Sequence, residues 1–260
     1  MEGSAAVAPP ADGIGYELWR RGVDGAERTT VYAVIHPRAQ TRVRVVYFAH
    51  TRRLDVWCAE ARAPEAVVGG FFLRDPYRPL GDLWLNGRRA RCEPVVEPFG
   101  SRRACVVGDD EGVRLMPREQ APASPAGDLL QAGPMLVGEG AICFDADTDL
   151  EGFSAGSEQF DSDITDGRHP RAALGLSERS VIVVASDGRR SGVDAGLSML
   201  ELAEVMVELG AETAINLDGG GSTTLVHRGH LLNRPYSTRD QPAPQSRRVV
   251  TALVFERADR

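Results

Sequence analysis

No stretch of this 260-residue chain reaches the ~18 apolar residues that a membrane-spanning helix needs. Its first residues, MEGSAAVAPPADG, lack the basic start and apolar stretch of an export signal. The sequence therefore predicts a cytoplasmic protein without membrane association, or a secreted one if an export leader has been removed. Lysine is absent, and 37 acidic residues outnumber the 30 basic ones. A net charge of −7 supplies no basic field for a polyanion, so nucleic acid is not expected as a partner. The four cysteines, Cys58, Cys92, Cys105 and Cys143, form no Cys-x-x-Cys pair and match no zinc spacing, so buried free thiols are expected. Neither a Gly-x-Ser-x-Gly elbow nor a P-loop occurs. No cofactor is expected, with a divalent metal left open.

The composition that remains is that of a globular protein, 42% hydrophobic and 26% charged, long enough to bury a sizeable core. Residues 1–13, rich in Ala, Pro and Gly, predict a flexible tail, and 14–260 a single domain with homo-oligomerisation left open. The first half reads as strands. TTVYAVIHP and TRVRVVYFAH are β-branched or aromatic runs, AVVGGFF is a buried strand running into glycines, and Asn86-Gly87 marks a hairpin. An acidic stretch, 145–166, reads as a surface loop. After residue 168 the pattern alternates. SVIVVAS (180–186) is a buried strand and SMLELAEVMVELG (198–210) a helix with Ser198 and Glu201 as a capping box. AINL (214–217) is a strand again, followed by a hairpin around Gly229 and a last strand, 247–255. The expected class is α/β (α+β, mixed sheet): a strand-rich N-terminal half and a βαβ unit in the C-terminal half.

The segment AINLDGGGSTTLV (214–226) carries the most chemical information. An apolar strand stops at Asp218; Gly219, Gly220 and Gly221 follow, then Ser222, Thr223 and Thr224. Glycines let the backbone approach a ligand closely, and successive amides in such a turn can cradle an anion. Asp187, in ASDGRRSG, leaves the preceding strand in the same way. If the two strands run parallel through the helix, both carboxylates reach one sheet edge. Arg171 and Arg189 are then expected nearby, with His169 in RHPRAALG.

The ordered set GGFF (69–72), QAGPMLVGEG (131–140), RHPRAALG (168–175), SDGRRSG, LDGGGSTTLV and LLNRP (231–235) resembles the phosphodiester glycosidase family from about residue 30 to 256. The resemblance implies hydrolysis of the glycosidic C1–O bond of a sugar-1-phosphodiester, giving a sugar and a phosphomonoester. It implies Asp218 and Asp187 as catalytic carboxylates. It places Arg171, Arg189, Gly219, Gly220, Gly221, Ser222, Thr223, Asn233, Gly70 and His169 at the substrate, with an arginine of the pair Arg247–Arg248. The implied partner is a small glycosyl phosphodiester or a nucleotide-sugar-like molecule. Two positions depart from the family pattern: Val68 replaces an Asn and Ala172 a Thr, which predicts lost polarity in the site. An altered member that binds or tailors a phosphorylated saccharide or nucleotide is therefore the alternative. The sequence does not choose between Asp218 and Asp187.

Other segments carry less. DADTDLEGF (145–153) echoes a calcium loop but has Leu150 where glycine is required. His227 and His230 are read as exposed turn residues, and Trp19, Trp57 and Trp84 as core packing.

Overall fold

The strand Ser180–Ser186 is buried along nearly its whole length because both of its faces are covered. In the computed structural model, which describes residues 13–23, 28–145, 147–153, 166–238, 241–242 and 246–258, it lies in a seven-stranded sheet. The strand order is Gly15–Gly22, Arg28–Pro37, Ser180–Ser186, Ala172–Leu176, Thr213–Asn216, Met135–Gly138 and Ala141–Ile142. Side chains alternate with the pleat. Val181, Val183 and Ala185 enter the main core; Ile182 and Val184 join the cluster under the helix Met199–Glu208. That helix begins with the expected capping box, Ser198 and Glu201 each bonding the other's backbone N–H. Almost all of the expected tail and most of the acidic stretch lie outside the described residues.

Two five-stranded sheets complete the frame. One runs Gly112–Pro117, Ala104–Asp109, Asp128–Gln131, Leu83–Leu85, Arg88–Arg89. The other runs His230–Leu231, Leu225–His227, Ala66–Val68, Arg248–Arg257, Thr41–Arg53. All three sheets contribute to one large apolar cluster. Strands make up 48% of the structure and helices 14%, arranged as antiparallel sheets and a half-barrel, so the expected α/β class holds only in part, as a strand-rich fold.

The expected mixed sheet is corrected. Every strand pairing among the described residues is antiparallel. Ser180–Ser186 and Thr213–Asn216 do run in the same direction, but Ala172–Leu176 lies between them and pairs antiparallel with both. The short turn at 177–179 folds Ala172–Leu176 onto Ser180–Ser186 first, which leaves only its far side for the strand that returns from the helix. The consequence for the site survives: both Asp-bearing ends, and the start of Ala172–Leu176 with Arg171, reach the same edge.

Candidate active site

The DGGGSTT segment crosses from one sheet to another, leaving Thr213–Asn216 and entering Leu225–His227. Asp218 is fixed at the crossing by its N–H, which donates to the Gly69 carbonyl at 2.9 Å. Gly69 and Gly70 are held in turn by Thr251, through its carbonyl at 3.0 Å and its hydroxyl at 3.1 Å. A Cβ on Gly69 would sit 2.5 Å from the Thr251 hydroxyl, and one on Gly70 would sit 2.7 Å from the Gln131 carbonyl. These glycines permit close backbone packing, and the N–H of Gly70 is already engaged within the protein.

Two of the three glycine N–H groups of the motif are engaged within the protein. Gly219 N–H donates to the Asp218 carboxylate at 2.9 Å and Gly220 N–H to the Pro170 carbonyl at 2.7 Å. Those of Ser222 and Thr223 close a 3-10 turn. What crosses the glycines is guanidinium. A Cβ on Gly220, which has φ +58°, would lie 2.9 Å from Arg189 Nη2; one on Gly221 would lie 2.5 Å from Arg247 Nη2. Arg189 has φ +64°, a conformation that costs a non-glycine residue about 1–3 kcal/mol and is typical of constrained sites. Cationic charge over the motif thus comes from side chains, and of the pair Arg247–Arg248 it is Arg247 that lies over it. Arg248 faces away and donates to the Thr51 carbonyl.

Asp218 is partly exposed. Burial pushes its carboxyl up to about 6, against a hydrogen bond from Ser222, the charge of Arg247, the Gly219 N–H and the charge of Arg74. Arg247 and Arg189 are both pushed down by burial, and Arg247 further by Arg74. Asp187 is 1% exposed. One of its oxygens accepts the Arg234 N–H at 2.6 Å and the other the Tyr32 hydroxyl at 3.0 Å. Burial also raises it to about 6. Arg171 is buried, its guanidinium donating to the carbonyls of Leu197 and Gly167. Asn233 clamps the exit of the motif, accepting from Leu225 N–H and donating to the Thr223 carbonyl, both at 2.9 Å. His169 is half-buried, and burial beside Arg171 and Arg189 pushes it down to about 4; Nδ1 of His169 and Oγ1 of Thr223 are buried with no hydrogen-bond partner among the described residues.

Several sequence expectations change. Val68 and Ala172 are fully buried in the main apolar cluster. His227 is buried, 2.9 Å from Glu65 and stacked on Tyr16, while His230 is exposed as expected. Cys58 and Cys105 are buried free thiols, but Cys92 is half-buried and Cys143 exposed. Among the described residues, no three His, Cys, Asp or Glu side chains gather as for a metal. The sequence reading missed Tyr32, whose strand read as core, and Arg74, which follows GGFF with no motif of its own.

Residues 61–256 match the family model described as phosphodiester glycosidase. The chain belongs to the phosphodiester glycosidase family. It is 29% identical over 177 residues to a mouse N-acetylglucosamine-1-phosphodiester α-N-acetylglucosaminidase, covering 65% of this chain and 33% of that protein. It spans about a third of the length of the curated relatives it matches. The fold is similar to that of the zebrafish glycosidase catalytic domain auto-inhibited by its pro-peptide, with a TM-score of 0.69 at 19% identity over 97% of this chain and 87% of that one. A Burkholderia pseudomallei protein described as exported gives a TM-score of 0.67 at 17% identity, covering 90% and 75%. The family's curated relatives are lumenal or secreted. The cytoplasmic location expected from the sequence is therefore overturned; it rested only on an absence of export features at the N-terminus.

Proposed function

We propose that this protein hydrolyses the C1–O bond of a sugar-1-phosphodiester, with Asp218 as the carboxylate at C1 and Arg189 and Arg247 on the phosphate. One observation carries the choice: Asp218 is the partly open carboxylate beside the arginines, whereas Asp187 is sealed and both its oxygens are occupied. A departing phosphomonoester is a good leaving group, its second ionisation falling near about pH 6, so a second carboxylate acting as general acid is not required. The guanidiniums stabilise the charge that gathers on the leaving phosphate. Asp218 serves the sugar side, as nucleophile or as base for water. Water supplies the new C1–O bond, and the bond between C1 and the phosphate oxygen breaks with its electron pair on the phosphate. Asp187, Asn233 and Arg171 are positioning residues. His169 Nδ1 and Thr223 Oγ1, without a hydrogen-bond partner among the described residues, are polar atoms for a ligand to satisfy. The domain extends from residue 14 to 260.

The test is turnover of a panel of sugar-1-phosphodiesters by the wild type, Asp218→Asn and Asp187→Asn. Release of sugar and phosphomonoester by the wild type, nearly abolished in Asp218→Asn, supports the reading. Wild-type turnover in Asp218→Asn sinks it. Tight binding of the diesters with no release would favour the alternative, a member that binds or tailors phosphorylated saccharides or nucleotides. The full burial of Val68 and Ala172 argues against that alternative, since neither side chain is presented to a ligand at the surface.

A further inference from the structure

The loop after Ser180–Ser186 carries two successive arginines that go to different places. Arg189 lies over the motif, its Nη2 2.9 Å from where a Cβ on Gly220 would sit. Arg190 turns back on its own loop. Its N–H donates to the Asp194 carbonyl at 2.9 Å, the Asp194 N–H donates back to the Arg190 carbonyl at 2.8 Å, and Nη1 of Arg190 lies 3.1 Å from Asp194 Oδ2. Asp194 is 1% exposed. Its Oδ1 accepts from the Thr30 N–H at 2.9 Å, the Thr30 hydroxyl at 2.7 Å and Arg20 Nη1 at 2.6 Å. The carboxylate thereby pins the loop to the strand Arg28–Pro37 with charge-assisted bonds.

The two arginines meet again at Tyr236. The Arg190 guanidinium stands over the Tyr236 ring, with Cζ 5.7 Å from its centroid, and Arg189 Nη1 donates to the Tyr236 carbonyl at 3.5 Å. The strand that carries this residue, Tyr236–Thr238, packs against the 3-10 turn Gly220–Ser222 of the motif. The Arg189 guanidinium therefore spans from Gly220 on its Nη2 side to Tyr236 on its Nη1 side. We infer that Asp194, Arg190 and Tyr236 form a positioning relay that holds the Arg189 guanidinium over the DGGGS turn, ready for the phosphate of the substrate. The positive φ of Arg189 fixes where its side chain leaves the backbone, and the relay fixes where it ends. A long side chain held in place beforehand loses less rotamer freedom when it grips a ligand. None of the three relay residues needs to touch the substrate.

The inference rests on the proposed hydrolase reading, which gives Arg189 the phosphate, and the experiment separates the two. Tyr236→Ala and Arg190→Ala are each expected to lower kcat/KM on a sugar-1-phosphodiester roughly three- to tenfold, the scale of one cation–π contact. Tyr236→Phe keeps the ring and is expected to restore the wild-type value. In an Arg189→Ala background neither alanine substitution is expected to lower kcat/KM further, because the relay acts through that guanidinium. Arg20→Ala removes a charge from the same Asp194 carboxylate but leaves the relay in place, and is expected to keep the wild-type kcat/KM. Losses that add fully to Arg189→Ala, an equal loss in Arg20→Ala or in Tyr236→Phe, or no loss in Tyr236→Ala and Arg190→Ala overturns the inference and leaves the hydrolase reading intact. If the wild type turns over no sugar-1-phosphodiester, the hydrolase reading fails, and calorimetry with inorganic phosphate decides the relay separately. Phosphate binding weakened roughly three- to tenfold by Tyr236→Ala, with no further weakening in the Arg189→Ala background, sustains it. Additive weakening, unchanged binding, or no binding by the wild type overturns it.

Discussion

Asp187 and Asp218 leave the same edge of the same sheet, both are raised to about 6 by burial, and they are wired in opposite ways. Asp187 faces inward. It accepts from a backbone N–H of one loop and a tyrosine hydroxyl of the adjoining strand, so it ties Arg28–Pro37, Ser180–Ser186 and the 233–235 loop together. Asp218 is partly exposed, bonded to its own turn through Gly219 and Ser222, with the charges of Arg247 and Arg74 acting on it. Equal proton affinity therefore does not mean equal role. Exposure and the reach of the partners separate the two: Asp187 is sealed and ties distant segments together, whereas Asp218 is partly exposed and its carboxylate is bonded within its own turn.

The sharpest way to break this contrast is at Asp218. Asp218→Asn is expected to lower kcat/KM roughly a thousandfold or more while leaving the fold intact, read by steady-state kinetics and circular dichroism. Arg247→Ala and Arg189→Ala come next. Each removes one charge-assisted contact to the leaving phosphate and is expected to cost about a hundredfold in kcat/KM. Asp187→Asn should behave differently. Its amide can accept one of the two existing hydrogen bonds but then turns a donor toward the other, costing about 1–3 kcal/mol of stability. Thermal melting would show that loss, with activity falling far less than in Asp218→Asn. A stable but inactive Asp187→Asn would erase the distinction drawn here.

Much of this arrangement is legible in the sequence where the governing physics is local. Asn86 and Gly87, both at positive φ, form the hairpin that the dipeptide predicts. The Ser198–Glu201 box opens the helix, and two apolar strands ending in Asp do share an edge. What was not legible depends on long-range neighbours. The strand inserted between the two Asp-bearing strands is set by pairing order, which no local pattern encodes. The use of the Gly220 amide depends on the Pro170 carbonyl, about fifty residues away in sequence, and the arginine side chains that lie over Gly220 and Gly221 come from other segments. The polar tasks of Asn233 and Tyr32 fall on backbone and carboxylate groups that only the tertiary fold brings within reach.

The smallest effect is also the one that tests the contrast under a single variable, pH. The Asp218 carboxyl titrates near 6 in the folded protein against 3.8 ordinarily. Between those values the native state holds a proton that the unfolded chain has released. The stabilisation from this group is therefore full below about pH 4 and is lost as pH rises through 6. Asp218→Asn lacks that dependence. The stability of the wild type relative to the variant should thus fall from pH 4 to pH 7 by on the order of 1–2 kcal/mol, allowing for the group's access to solvent. Denaturant unfolding at both pH values measures it. Activity moves the other way: kcat/KM should rise with pH through about 6, because ionised Asp218 serves the sugar. Asp187→Asn should keep that rise. If the rise vanished in Asp187→Asn, the titrating group that matters would be the sealed carboxylate, and the division between the two acids would reverse.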